Sequence, residues 1–223
     1  MKILGFDTST EYCTAALLID GAVQVREVHA GQTHSQLLLP MCQDLLAEAG
    51  FALNQLDGIA FGAGPGSFTG LRIACAVAQG LALGADVPVY GVGSLLALAE
   101  ASAGSRVIAC LDARMGEVYH AVYARLDGGW QEISAPLLSA PEQVPLVSGS
   151  GWCGIGSGFK VYATVLAARY GAALSSSRPD LFPHAREIAV LAAPRFAAGE
   201  GMLAELAAPL YVRDKVALKT CER

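Results

Sequence analysis

The sequence predicts a two-lobed α/β protein in which both lobes follow one plan. Its 223 residues are enough for one large domain or two smaller ones with a sizeable core. The order strand, aspartate, β-hairpin and helices occurs twice along the chain. We therefore expect a mixed β-sheet with helices in each half, the first lobe spanning residues 1–103 and the second residues 104–223. The last segment, about residues 200–223, is expected to pack back on the first lobe.

The first half begins with a strand and a hairpin. The apolar strand Ile3 to Phe6 ends at Asp7, and two alternating strands, 13–19 and 23–28, flank the turn Asp20-Gly21. Such a turn between alternating strands is a strong hairpin signal. Apolar runs bounded by glycine, proline and polar caps then predict strands 58–61 and 88–92 and helices 35–49, 69–85 and 94–102.

The second half repeats this beginning. The apolar strand Val107 to Leu111 ends at Asp112, and strands 117–125 and 130–134 flank a turn at Asp127-Gly128-Gly129. Apolar periodicity predicts two helices after it, 159–170 and 185–198, the latter kinked at Pro194.

The composition is unusually apolar for a chain without a predicted membrane span. Hydrophobic residues make up 53%, charged residues only 16%, and the mean hydropathy is +0.44. The apolar runs are interrupted before they reach the roughly 20 residues that a span requires. An unusually apolar surface, covered by a partner, is therefore expected.

Charge and cysteine usage restrict the function classes. The net charge of −5 and a pI near 5.3 argue against direct nucleic-acid binding by this chain alone, because phosphate neutralisation requires basic surface. The basic tail, residues 213–223, adds too little positive charge to change this. Six scattered cysteines and an N-terminus without a leader pattern predict reduced thiols and a cytoplasmic protein.

Two glycine-rich stretches resemble phosphate-binding motifs. Residues 62–70 lead into a helix but lack the Gly-Lys-Ser/Thr ending of a P-loop, which favours a structural turn that sets the entry of the helix. Residues 149–154 match G-x-G-x-x-G, yet no acidic residue follows about 20 positions later, and we interpret them as a loop.

Candidate catalytic and metal-binding groups are few. Asp7 and Asp112 follow matching strands, so they are either aspartates retained to hold a turn or the carboxylates of a metal–nucleotide site. The four histidines, at positions 29, 34, 120 and 184, are isolated, and none can be assigned as a base to Ser67. We predict no metal site and no catalytic centre in this chain.

The helix 69–85 is apolar nearly all round, with Arg72 and Gln79 as its polar residues. Such a helix is buried on nearly all sides, either within its own lobe or partly by a partner. The helix from residue 35 has a similar double apolar face. Two such helices could form half of an inter-subunit bundle, and the residues predicted to meet a partner are Leu38, Met41, Leu45, Leu71, Ala74, Cys75, Ala78 and Leu81.

Several motifs carry a family resemblance. The repeated strand–Asp–hairpin halves resemble the actin/Hsp70/sugar-kinase (ASKHA) fold, and residues 64–72, GPGSFTGLR, resemble the loop characteristic of the TsaB (YeaZ) family. The resemblance continues, in order, at Asp7-Thr8-Ser9 and at residues 34–40, 112–119 and 209–217.

This resemblance implies a function. TsaB-like proteins are non-catalytic partners of a TsaD-like enzyme that, with a TsaE-like ATPase, makes threonylcarbamoyladenosine at position 37 of tRNAs reading codons that start with A. On this basis we expect a heterodimer through first-lobe helices, a homodimer when alone, tRNA contact only within the complex, and ATP and metal on the partners. The H-x-x-x-H metal motif of the TsaD relatives is missing at the matching position, residues 93–98. The alternatives are an active ASKHA-type small-molecule kinase or ATPase, or the protease once proposed for the family.

Overall fold

The computed structural model describes residues 1–102, 104–126 and 128–212. Within them the chain forms two five-stranded sheets. The elements of the first lobe are β1 (Lys2–Asp7), β2 (Tyr12–Ile19), β3 (Ala22–His29), α1 (His34–Ala49), β4 (Gly58–Gly64), α2 (Phe68–Ala85), β5 (Val89–Gly93) and α3 (Ser94–Glu100). Those that follow are β6 (Arg106–Arg114), β7 (Glu117–Leu126), β8 (Gly129–Ser139), β9 (Trp152–Ile155), α4 (Gly158–Val161), α5 (Ala163–Tyr170), β10 (Leu174–Arg178) and α6 (Ala185–Ala197).

Both sheets have the same topology. The first runs β3-β2-β1-β4-β5 and the second β8-β7-β6-β9-β10. In each sheet the first three strands are antiparallel to their neighbours. The fourth strand (β4 or β9) pairs in parallel with the central strand, and the fifth (β5 or β10) pairs in parallel with the fourth. This duplication confirms the predicted two-lobed α/β architecture of the actin/Hsp70/sugar-kinase type.

The helices form three layers around the two sheets. Helices α1 and α2 cover the outer face of the first sheet, and α4 and α5 cover the outer face of the second. Helices α3 and α6 lie between the sheets: Leu95 and Leu98 of α3 pack on the second sheet, whereas Ile188 and Ala192 of α6 pack on the first. The two lobes therefore share a middle layer.

Three local predictions require correction. Residues 152–155, interpreted as part of a loop, form strand β9, and the short strand β10 was not predicted at all. The predicted helix 159–170 is two helices separated at Tyr162, whose φ of −114° and ψ of 33° interrupt the helical backbone.

The chain returns to the first lobe after β10. Helix α6 contacts β1, β2, β4 and β5, and Met202 forms an antiparallel bridge with Val89 of β5. The backbone N–H of Leu210 donates to the carbonyl of Ala63, at 2.7 Å. The basic tail, residues 213–223, and with it the end of the motif 209–217, lies outside the described residues. So do Ala103, at the predicted lobe boundary, and Asp127, in the predicted turn.

Candidate functional site: the inter-lobe cleft and the outer face of helix α2

A cleft of about 1010 Å³ lies between the two lobes. Its walls come from the turn after β1, the loop before α2, the β6–β7 turn and the start of α4. Asp112 and Arg114 line it from the second lobe, and Ser67 and Phe68 line it from the first. In the kinase interpretation a nucleotide would lie in this cleft. The surroundings of Asp7 and Asp112 therefore decide whether these residues suit a metal–nucleotide site.

Asp7 does not face the cleft. Its side chain is buried, and Oδ1 accepts hydrogen bonds from the Ser9 N–H and hydroxyl, both at 2.8 Å. Oδ2 lies only 1.8 Å from the point where a β-carbon on Gly62 would stand, and it has no hydrogen-bond partner. Burial raises the pKa of Asp7 from 3.8 to about 6. A carboxylate closed in by the backbone in this way does not fit a hydrated metal ion.

Asp112 is held by its own surroundings. Its carboxylate pairs with the Arg114 guanidinium at 3.1 Å, and Oδ1 also accepts from the Arg114 N–H and the Tyr162 hydroxyl. Its own N–H donates to Ser157 Oγ. A cation at this position would have to displace Arg114. The two strand-end aspartates therefore fit the interpretation in which each holds a turn, and they do not fit a metal–nucleotide site.

The glycine-rich loop before α2 packs on the turn after β1. A β-carbon on Gly70 would stand 1.8 Å from the Thr8 carbonyl oxygen, and one on Gly66 would stand 2.6 Å from that of Ser9. The Thr8 hydroxyl donates to the Gly70 carbonyl at 2.7 Å, which ties the loop to the turn. These glycines permit close contact between protein backbones, so the loop has the structural role predicted for it.

No nucleophile of the protease type is assembled within the described residues. Ser67 caps α2, its Oγ accepting from the Gly70 N–H at 3.3 Å, and no histidine hydrogen-bonds to it. Burial raises the pKa of the Cys42 thiol to about 12, and that of Cys13 to about 11. Nor do the described residues contain a cluster of three or more His, Cys, Asp or Glu side chains suited to a metal ion.

The structure separates the core face of α2 from its outer face. Leu81 is half-buried, and the other residues predicted to meet a partner are buried in the first lobe's own core: Leu38, Met41, Leu45, Leu71, Ala74, Cys75 and Ala78. These side chains pack within the chain itself, so the surface that α1 and α2 leave open is formed by other residues. The exposed face of α1 is more polar: Leu39, Pro40 and Ala47 lie there among serine, glutamine and acidic side chains.

The outer face of α2 carries a different set of residues. Ala76, Gly80, Leu83 and Gly84 are exposed, and Ile73 and Val77 beside them are half-buried. We call these six residues the outer stripe of α2. Among the described residues, a β-carbon on Gly80 or Gly84 would meet nothing within 4 Å, so this part of the fold gives no reason for either glycine. Sequence reasoning missed this stripe, although its glycines at i and i+4 within an apolar helix could have indicated it.

By length and apolar composition alone, α2 passes the test for a membrane-spanning helix. Its core face packs on β4, and the segment 204–207 lies beside it, with the Gln79 side chain donating to the Ala207 carbonyl at 3.0 Å. These contacts favour a helix of the lobe, as predicted, over a membrane span.

Comparison with known proteins identifies the family. Residues 27–220 match the family described as TsaD: tRNA N6-adenosine threonylcarbamoyltransferase. The tRNA threonylcarbamoyladenosine biosynthesis protein TsaB of Escherichia coli is 39% identical over 98% of this chain and 97% of its own length. The chain belongs to the TsaB family. The TsaB of Haemophilus influenzae is 43% identical over 64% of this chain and 66% of its own length.

Solved structures agree with this assignment to the TsaB family. YeaZ from Pseudomonas aeruginosa superposes with a TM-score of 0.86 at 40% identity, covering 94% of this chain and 99% of that one. A Pseudomonas aeruginosa protein described as similar to peptidase YeaZ gives a TM-score of 0.87 at 39% identity, covering 95% of this chain and 99% of that one. The resemblance stated from the motifs is thereby confirmed.

Proposed function

We propose that this chain takes part in tRNA threonylcarbamoyladenosine biosynthesis as a non-catalytic subunit in the cytoplasm. Its partner is a TsaD-like catalytic protein, which it activates by forming a heterodimer, and a TsaE-like ATPase completes the system. Membership of the TsaB family supports the pathway. ATP and metal are bound by the partner proteins, and tRNA contacts the chain only within the complex.

One observation carries the non-catalytic, partner-binding role: the outer stripe of α2. Gly80 and Gly84 on an exposed helix face destabilise the isolated helix by about 0.5–1 kcal/mol each relative to alanine. Small residues let the backbone of a second helix approach closely, which gives those glycines a use that the described part of the chain does not provide. The enclosure of Asp7 and the pairing of Asp112 with Arg114 also argue against a kinase or ATPase.

The test is a binding measurement between this chain and a TsaD-like protein, with the complex followed by native mass. Ala76→Glu places a charge on the outer stripe, and because Ala76 is exposed the variant should fold normally. Burying an unpaired charge in the interface should cost several kcal/mol, which corresponds to at least a hundredfold loss of affinity. Ala168→Glu is the matched control, since Ala168 is exposed on α5 of the other lobe.

Unchanged binding by Ala76→Glu would refute this placement of the interface. The isolated wild-type chain should also form a homodimer through the same stripe and lose it on the same substitution. Tight binding of Mg-ATP by the isolated chain in a calorimetric titration would instead favour the kinase or ATPase interpretation.

A further inference from the structure

A second apolar feature adjoins the C-terminal end of α2. It is a pocket of about 300 Å³ between the end of α2, the turn 86–88 and the segment 201–205. Leu83 and Leu203 line it and are 74% and 65% exposed. Leu206, one turn beyond Leu203, is 63% exposed. Two leucines this exposed in the lining of one pocket, with a third close by in sequence, are unusual, because single exposed apolar residues are normal but clusters mark contact sites.

The walls of this pocket are fixed by hydrogen bonds. Met202 and Val89 exchange both backbone hydrogen bonds at 2.9 Å, which anchors the segment to the edge of the first sheet. The Leu206 N–H donates to the Leu203 carbonyl at 3.0 Å, closing a turn, and the Ala207 carbonyl accepts from Gln79 of α2. A β-carbon on Gly201 would stand 2.7 Å from that of Pro88, so the segment lies close against the turn. The leucines are therefore held outward by an ordered backbone.

The rim of the pocket is acidic. Asp86, the C-cap of α2, and Glu205 both line it, and neither forms an ion pair with any residue in the described ranges. Of the described residues, those that line the pocket include no lysine, arginine or histidine. An occupant that complements this surface has an apolar side chain for the pocket and a neighbouring lysine or arginine for the two carboxylates.

We propose that this pocket is a second contact for the same partner subunit that covers the outer stripe of α2, and that the partner inserts an apolar side chain flanked by basic residues. The link between the two surfaces is Leu83, which belongs to the outer stripe and also lines the pocket. A subunit seated on the stripe would therefore cover the mouth of the pocket. The inference rests on the proposed function and adds which side chains the partner presents to the pocket, an apolar one with basic neighbours.

The experiment uses the full chain with the TsaD-like protein and two variants, Leu203→Ala and Glu205→Lys. We expect each to raise the dissociation constant at least tenfold. Glu205→Lys should also flatten the rise of the dissociation constant with salt, because it removes an attraction that salt screens. Leu146→Ala and Glu142→Lys are matched controls: both residues are exposed, lie outside the pocket and should leave binding unchanged.

The outcomes separate this inference from the proposed function. If Ala76→Glu abolishes binding while both pocket variants bind like the wild type, the pocket contact is refuted and the interface on α2 stands. If Ala76→Glu also binds normally, the proposed interface fails and the inference fails with it. If the pocket variants keep the TsaD-like protein but lose a TsaE-like ATPase, the choice of occupant is overturned.

Discussion

Asp7→Asn should make the protein more stable at neutral pH. The Asp7 carboxyl is buried against Gly62, and its Oδ2 has no hydrogen-bond partner. Asparagine has nearly the same shape and keeps an oxygen that can accept both hydrogen bonds from Ser9. The substitution therefore removes a buried negative charge while the contacts of Oδ1 remain.

The magnitude follows from the raised pKa. Burial raises the pKa of Asp7 from 3.8 to about 6, which corresponds to about 3 kcal/mol at 1.36 kcal/mol per pH unit. Because the folded-state pKa lies above the unfolded one, this contribution to stability is fully present below pH 3.8. It is lost as the pH rises through about 6. Above that pH, the variant should gain about 1–3 kcal/mol, the unpartnered amide of asparagine accounting for the lower bound.

Urea denaturation at pH 7.5 and pH 4 measures the effect. We expect a higher midpoint for Asp7→Asn at pH 7.5, an unchanged slope, and a difference that shrinks towards pH 4. Asp112→Asn is the control: it weakens the pair with Arg114 and should give no gain at either pH. A less stable Asp7→Asn at pH 7.5 would refute the reasoning, because the ionised carboxylate would then have a favourable partner.

Two further predictions concern stability. Gly80→Ala should stabilise the isolated chain by about 0.5–1 kcal/mol, because its β-carbon meets open space, and should weaken the complex with the partner. Gly70→Ala, whose β-carbon would meet the Thr8 carbonyl, should instead destabilise the chain by about 1–3 kcal/mol or more; comparing urea midpoints and affinities of both variants checks this. Burial lowers the pKa of His120 below 6.5, so the contribution of this side chain to stability should be lost as the pH falls below that value. Asp7 is common to both proteins, so His120→Gln should gain stability relative to the wild type between pH 7.5 and 5.5 in the same assay, and a constant difference between the two proteins would contradict the assignment.

Local signals in the sequence were sufficient for the antiparallel half of each sheet. The turn Asp20-Gly21 connects β2 and β3, and Gly50 ends α1 in a left-handed conformation with φ of 71°. Each of these features depends on a few neighbouring residues, such as a turn residue with positive φ or an alternating strand. Pattern reasoning works where the determinant of structure is local.

The missed strands depend on distant contacts. Strand β9 has four residues, and its Gly154 leaves room for the Phe159 ring, which would lie 2.3 Å from a β-carbon there. Strand β10 has three consecutive serines and is mostly exposed, so it shows no apolar alternation. Both strands are defined by parallel pairing, β9 with β6 and β10 with β9. A single sequence does not display such pairing.

The two faces of α2 were indistinguishable in the sequence because they use the same residue types. Ala74 and Ala78 are fully buried, whereas Ala76 between them is exposed. Alanine suits a helix in either setting, so the pattern of apolar residues does not mark the face that packs on the sheet. The glycines distinguish the faces: Gly70 is enclosed by Thr8, and Gly80 has open space. The space around each glycine, rather than hydropathy, reveals which face is free.

In the described part of the molecule, the two strand-end aspartates are already engaged by neighbouring groups, whereas the outside of α2 is an exposed apolar face. In the cleft region, Asp7 is satisfied at Oδ1 by Ser9 and closed off at Oδ2, and Asp112 is paired with Arg114. On the helix, glycine stands at positions where alanine would be more stable, and no contact within the described residues requires it. A stability cost that no intramolecular contact explains is best accounted for by a contact between molecules. The apolar excess of the composition therefore points to an association function, and the acidic rim beside Leu83 indicates what charge the associating surface should carry.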